Sequence, residues 1–190
     1  IDFVKGFYSQ TDKEALIVDE RWNGGGYIQP WFVDTLARKS RAYIAQPNFP
    51  VRPEAVAISG PKVMLINGYA GSGGDFFPYL FRQSKLGPLV GERTWGGLVG
   101  IGQGLITVDG QSVTSPGFAI FDADTEEIIA ENQGIEPDVQ VDLRPDLLAQ
   151  GRDPQLEKGI EILLAELKKL PPRKPFPAVP RLGRNGRLGG

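Results

Sequence analysis

Three features of the sequence predict an α/β domain. Two short apolar runs, Ala15-Leu16-Ile17-Val18 and Lys62-Val63-Met64-Leu65-Ile66, have the length and continuity of strands buried in a sheet. Each is followed by a glycine-rich turn, Asn23-Gly24-Gly25-Gly26 after the first and Asn67 to Gly74 after the second. Each turn leads into a segment of helical periodicity, so the repeating unit is strand, glycine turn, helix. The size suits this class: 190 residues with 41% AVILMFWYC can bury roughly 70% of the unfolded surface around one core without staples or metals.

The elements follow in order. Phe3, Val4, Phe7 and Tyr8 share one face of a short helix, and Thr11-Asp12-Lys13 turns the chain into the first strand, which ends in Asp19. Trp31, Phe32 and Leu36 have a helical period, with Arg38 and Lys39 placed where cations favour a helix end. Residues 41–45 read as a strand, and Pro47, Pro50 and Pro53 mark a connection to the second buried strand. Phe76, Phe77, Leu80 and Phe81 line the next helix, with Pro78 expected in its first turn. Asp109-Gly110 between Leu105-Ile106-Thr107-Val108 and Val113 is a hairpin signal. Asp153 as N-cap and Pro154 at the first helical position open a helix running to Leu170, with Ile160, Leu163, Leu164 and Leu167 as its apolar stripe. Trp31, Phe76, Phe77, Phe81, Leu163 and Leu167 are the expected core. One domain is expected over residues 1–170, and a Pro/Arg/Gly-rich tail over 171–190.

Composition excludes several functions. Twenty-one Lys+Arg against twenty-three Asp+Glu give a net charge of −2, so bulk electrostatics favour neither nucleic acid nor acidic membranes. Without cysteine there is no disulfide, thiol nucleophile or zinc ribbon, which agrees with a cytoplasmic location. Without histidine, the commonest general base and metal ligand is missing, and chemistry that needs imidazole must borrow it. No run approaches the roughly 18 apolar residues of a membrane span. The start at Ile1 rather than Met suggests part of a larger protein.

Tyr69-Ala70-Gly71-Ser72-Gly73-Gly74-Asp75 is the strongest chemical signal. A serine between glycines, where a strand meets a helix, allows a sharp turn that exposes its hydroxyl. The helix start adds free N–H groups and a positive dipole end suited to an oxyanion, making the Gly73 amide a candidate donor. The pattern equally fits Ser72 as a simple N-cap, and Asp75 reads as a dipole-compensating cap. A P-loop would need Gly-Lys-Ser/Thr, and residues 96–104 never form Gly-x-Gly-x-x-Gly. An α/β-hydrolase elbow lacks its later histidine. The glycines at 24–26 form a second loop whose amides can approach a ligand, although an ordinary turn reads the same way. Two such loops at the carboxyl ends of neighbouring strands would supply one N–H each, the minimum for an oxyanion hole.

Four stretches together resemble the tail-specific, or carboxy-terminal processing, serine peptidases. They are Leu16-Ile17-Val18-Asp19-Glu20-Arg21-Trp22-Asn23-Gly24-Gly25-Gly26, Ala70-Gly71-Ser72-Gly73-Gly74-Asp75, Gly91-Glu92-Arg93-Thr94-Trp95-Gly96-Gly97 and Glu131-Asn132-Gln133-Gly134-Ile135-Glu136-Pro137-Asp138, in the family's order. The resemblance reaches to about Leu170. Members with a serine–lysine dyad carry lysine where this chain has Gly97, so the sequence is closer to the tricorn branch and looks like its last catalytic subdomain. That resemblance implies the α/β spiral of ββα units shared by Clp proteases and crotonases. It also implies Ser72 as nucleophile, Glu131 as the acidic member, and the Gly25 and Gly73 amides as oxyanion donors. Glu126, Glu127 and Glu136 stand close enough in sequence to leave the choice of Glu131 open on residues alone.

The resemblance further implies peptide substrates, no cofactor or metal, a histidine base from upstream subdomains of the same polypeptide, and a homo-oligomer in the full-length protein. The branch tends to carry an acid directly after the nucleophile, linked to basic substrate side chains; Gly73 stands there instead. Alone, the chain is expected to be silent. Two rival readings are a non-catalytic peptide-binding or scaffolding member of the fold, and crotonase-like acyl-thioester chemistry. The latter would need a cationic pocket for coenzyme A phosphates, and no Lys/Arg cluster in the body of the chain supplies one.

Overall fold

The structure, a computed structural model, describes residues 2–172 except 47, 48, 50 and 103. Residues 173–190, most of the expected tail, lie outside the described residues. In chain order the elements are α1 (Asp2–Tyr8), β1 (Leu16–Asp19), α2 (Gln29–Ala37), β2 (Tyr43–Ile44), β3 (Arg52–Pro53), β4 (Lys62–Ile66), α3 (Gly73–Gln83), β5 (Leu89–Gly91), β6 (Gly100–Gly102), β7 (Ser115–Phe118), β8 (Val139–Gln140), α4 (Pro145–Leu148) and α5 (Pro154–Lys169).

The apolar run at 62–66 lies inside the sheet, as its lack of alternation predicts. Its strand, β4, pairs in parallel with β1 and β5, and β8 adds in parallel to β5, giving the order β1-β4-β5-β8. Successive side chains of β4 point to opposite faces, and both faces are covered. Val63 and Leu65, with Val90 of β5, meet Leu163 of α5. Met64 and Ile66, with Leu89, enter a larger core that includes Leu36 of α2 and Phe77 and Phe81 of α3. Each such side chain contributes roughly 1.5–3 kcal/mol by leaving water. The result is a parallel sheet between helices, and its carboxyl edge presents the loops after β1, β4 and β5 side by side.

Several expectations are corrected by packing. Among the described residues β1 has a strand neighbour on one side only; Leu16, Ile17 and Val18 are half-buried and Asp19 is exposed. Pro78 lies inside α3 rather than in its first turn, because the helix already begins at Gly73. Trp31 is 41% exposed; it packs edge-on against Phe3 at the margin of the core. On α5 only Leu163 of the expected stripe is buried, whereas Leu167 is half-buried and Ile160 and Leu164 are exposed. That helix turns a narrower face to the sheet, with Gly159 letting it approach Leu65 and Val63 closely. The hairpin at Asp109-Gly110 does form, with Gly110 at φ 80, an antiparallel bridge between Ile106 and Ser112 and the Thr107 N–H donating to the Gln111 carbonyl at 2.8 Å, and β6 pairs antiparallel with β7 farther out.

Arg21 anchors the end of β1 to the start of α5. Its side chain is 6% exposed. The guanidinium forks onto Asp19 (Nε to Oδ1 2.8 Å, Nη2 to Oδ2 2.7 Å), and Nη1 reaches Asp153 Oδ1 at 3.1 Å and Gln155 Oε1 at 3.2 Å. Asp153 is also the α5 N-cap, accepting the Leu156 N–H at 3.0 Å. Arg21→Lys keeps the charge but loses the planar fork, and is expected to lower stability by about 1–2 kcal/mol. A urea midpoint unchanged from wild type would show that the fork does not hold the helix.

Candidate active site

Three loops meet at the carboxyl edge of the sheet, where parallel α/β sheets bind ligands. They follow β1, β4 and β5, and hydrogen bonds tie each to the next. Asn67, fully buried after β4, accepts the Trp22 N–H at 3.1 Å and the Tyr69 N–H at 3.2 Å. The Asn23 carbonyl accepts the Gly71 N–H at 3.0 Å, and the Ala70 carbonyl accepts the Trp95 N–H at 2.8 Å. Gly71 and Gly97 give room to the Trp95 ring: an ideal Cβ on either would stand 2.5 Å and 2.3 Å from it. A side chain at 97 therefore collides with Trp95 as placed.

Ser72 occupies the N-cap position of α3 with φ 56 and ψ −116. A serine there costs on the order of 1–3 kcal/mol unless its surroundings enforce it. Asp75 does so. It is fully buried, and Oδ2 accepts the N–H groups of Ser72 at 2.8 Å and Gly97 at 3.0 Å. Oδ1 accepts the Thr94 hydroxyl at 2.5 Å and the Gly96 N–H at 2.8 Å. The expected dipole cap is thus also the hub joining the serine turn to the loop after β5. Thr94, buried beside it, accepts the Ile135 N–H at 2.8 Å and brings in the next segment.

The glycine loop after β1 lies against this serine. An ideal Cβ on Gly25 would stand 3.0 Å from Ser72 Cβ, 3.1 Å from Ser72 Oγ and 3.5 Å from the Gly73 nitrogen. With φ 123 as well, only glycine fits there without strain. Gly73 is packed equally closely, since a Cβ on it would meet the Gly26 carbonyl oxygen at 2.5 Å. Gln29 at the start of α2 is buried and donates to that carbonyl at 3.0 Å, while its Oε1 finds no partner among the described residues. Ser72, Gly73 and Gly25, singled out in sequence, therefore stand together.

Glu131 is placed differently. Ala130 and Asn132 on either side have φ 59 and φ 60, which makes a tight turn. Glu131 Oε2 accepts the Leu98 N–H at 2.8 Å and the Val99 N–H at 2.7 Å. It reaches the serine only through residues 96–99 and Asp75, and among the described residues it makes no hydrogen bond to Ser72. Among those residues no three acidic side chains gather into a metal site, and no helix is long and apolar enough to cross a membrane.

Glu20 and Asn23 were not singled out in sequence. Glu20 is 4% exposed, and burial pushes its carboxyl up to about 9, against the opposing bond from Asn23 and with the charges of Asp19 and Asp75 raising it further. Asn23 Nδ2 donates to Glu20 Oε1 at 2.9 Å, and Asn23 Oδ1 accepts the Gly25 N–H at 3.0 Å. The available signal was an asparagine directly before three glycines, where a short amide side chain caps its own loop.

The chain is similar in sequence and fold to known proteins. The sequence profile of peptidase family S41 matches residues 2–141. A chain described as a tricorn-like protease C-terminal subunit from Sulfurisphaera tokodaii is 41% identical over 169 residues, covering 88% of this chain and 20% of that one. The tricorn protease of Thermoplasma volcanium is 36% identical over 169 residues, covering 88% of this chain and 16% of that one. The crystal structure of the tricorn protease superimposes with a TM-score of 0.81 at 35% identity, over 88% of this chain and 16% of that chain. The chain thus spans about a sixth to a fifth of the length of these relatives. The photosystem II D1 C-terminal processing protease, at 23% identity and a TM-score of 0.50, shares the fold. With the profile covering most of the chain and tricorn proteases as its similar relatives, this chain belongs to peptidase family S41.

Proposed function

We propose that this chain carries the nucleophile half of a tricorn-type serine peptidase site. The carrying observation is Ser72 in a strained turn, with the Gly73 amide beside it and Gly25 packed against its Oγ. Ser72 Oγ attacks the carbonyl carbon of a peptide bond while a histidine takes its proton. The carbonyl oxygen becomes an oxyanion held by the Gly73 and Gly25 amides. Collapse expels the amine, which takes the proton from the histidine, and water then releases the acyl group from Ser72. No cofactor enters this sequence.

The histidine belongs to an upstream subdomain of the same polypeptide, since the 190 residues contain none. Glu131 is the acidic member of the polar network and acts through the 96–99 loop it holds. Exposed Tyr27, Tyr69 and Trp95 on the three loops offer flat apolar surface to oligopeptide substrates. The catalytic subdomain is residues 1–170, built as the spiral of ββα units, and the whole protein works as a cytoplasmic homo-oligomer.

A serine-directed fluorophosphonate tests this reading by mass spectrometry. Ser72 should be labelled in a longer form of the protein that brings in histidine, and not in the 190-residue chain alone or in Ser72→Ala. Folded proteins that stay unlabelled in both lengths would leave a non-catalytic binding module as the better account.

A further inference from the structure

The Gly25 amide is already engaged. Its N–H points at Asn23 Oδ1 at 3.0 Å, while its Cα faces Ser72. An oxyanion bound to that N–H would sit against the asparagine oxygen, and two acceptors cannot share one well-aligned donor. Asn23 is itself tightly held. Its Nδ2 donates to buried Glu20, its own N–H donates to the Glu20 carbonyl at 3.1 Å, and its carbonyl accepts the Gly71 N–H at 3.0 Å. The Gly73 N–H, by contrast, donates to no group among the described residues.

We propose that Asn23 is a positioning residue that holds the oxyanion loop at rest, and that acylation of Ser72 requires the Gly24–Gly25 peptide to turn from Asn23 Oδ1 toward the Gly73 N–H. The inference rests on the peptidase reading given above. It accounts for the glycine run, since a peptide between two glycines can rotate without moving a side chain through its neighbours. Gly24 and Gly26 have open space around their Cβ positions, whereas Gly25 does not. The Gly24–Gly25 peptide therefore has room to turn, while Gln29 on the Gly26 carbonyl holds the far side of the loop. In the turned state two amides converge beside Ser72; at rest only one is available, and substrate binding has to supply the difference.

The experiment uses the longer form of the protein that brings in the histidine, ¹⁵N-labelled, with a peptide boronic acid as the tetrahedral probe. Asn23→Ala removes the side-chain acceptor, and the Gly71 amide, bonded to the Asn23 backbone, reports whether the loop stays folded. Hydrogen exchange at Gly25 is expected to quicken by about tenfold in Asn23→Ala while Gly71 keeps its protection, and the boronate should bind several-fold tighter than to wild type. Binding to wild type should shift the Gly25 amide and the Asn23 side-chain amide together. Unchanged Gly25 exchange with Gly71 still protected would overturn the proposal. So would a tetrahedral adduct on wild-type Ser72 that leaves the Gly25 amide where it was. An adduct insensitive to Ser72→Ala, or none in either protein, counts instead against the peptidase reading and removes the basis of the proposal with it.

Discussion

Asp75→Asn is expected to cost about 3–5 kcal/mol of stability and to abolish fluorophosphonate labelling of Ser72 in a longer, reactive form of the protein. The carboxylate faces four donors and no acceptor: the N–H groups of Ser72, Gly96 and Gly97 and the hydroxyl of Thr94. An amide of the same shape has one oxygen, and its NH2 must confront two of those donors wherever it turns. Because Asp75 is fully buried, water cannot take up the loss. The damage is local to the chemistry, since the Ser72 N–H bond helps hold φ 56, and Gly96 and Gly97 hold the loop that Glu131 braces. Urea denaturation gives the stability term, and exchange at Gly96 and Gly97 gives the local one. A midpoint within about 1 kcal/mol of wild type with both amides still protected would show that the hub is dispensable.

Much of this site is legible in the sequence because its parts are backbone features that need glycine. Gly25 and Gly73 are where side chains cannot fit, and glycine runs after apolar strands announce that. The second strand was legible for a similar reason: burial on both faces removes alternation, and 62–66 has none. What the sequence does not disclose is pairing across distance. Asp75 looks like a helix cap because its first partner is three residues away, whereas Thr94, Gly96 and Gly97 arrive through β5. Glu131 is identifiable by resemblance, yet its partners are the Leu98 and Val99 amides, and no local pattern signals a carboxylate that binds backbone. The α5 stripe misleads for a related reason. Its period is helical, but the close approach at Gly159 directs Leu163 to the sheet and leaves Ile160 and Leu164 in solvent.

Glu20 should make this protein lose stability as pH rises through neutrality. Burial holds its carboxyl at about 9 in the folded chain, against about 4.5 for the solvated group of the unfolded chain. Between these values the folded state keeps a proton that the unfolded state has released, so folding takes up a proton and rising pH opposes it. The contribution is complete below the unfolded value, shrinks across the window and is gone above the folded one. Its slope approaches 1.4 kcal/mol per pH unit, so from about pH 5.5 to about pH 7.5 this group alone should remove roughly 2–3 kcal/mol. Glu20→Gln separates it from every other titration. Glutamine keeps an oxygen for Asn23 Nδ2 and mimics the protonated acid, so the variant should match wild type near about pH 4.5 and be the more stable protein above about pH 7. The difference between the two proteins, read from urea midpoints across this range, is the measurement. Parallel profiles would mean that Glu20 reaches water, and would remove the buried proton from beneath the loop that carries Asn23 and Gly25.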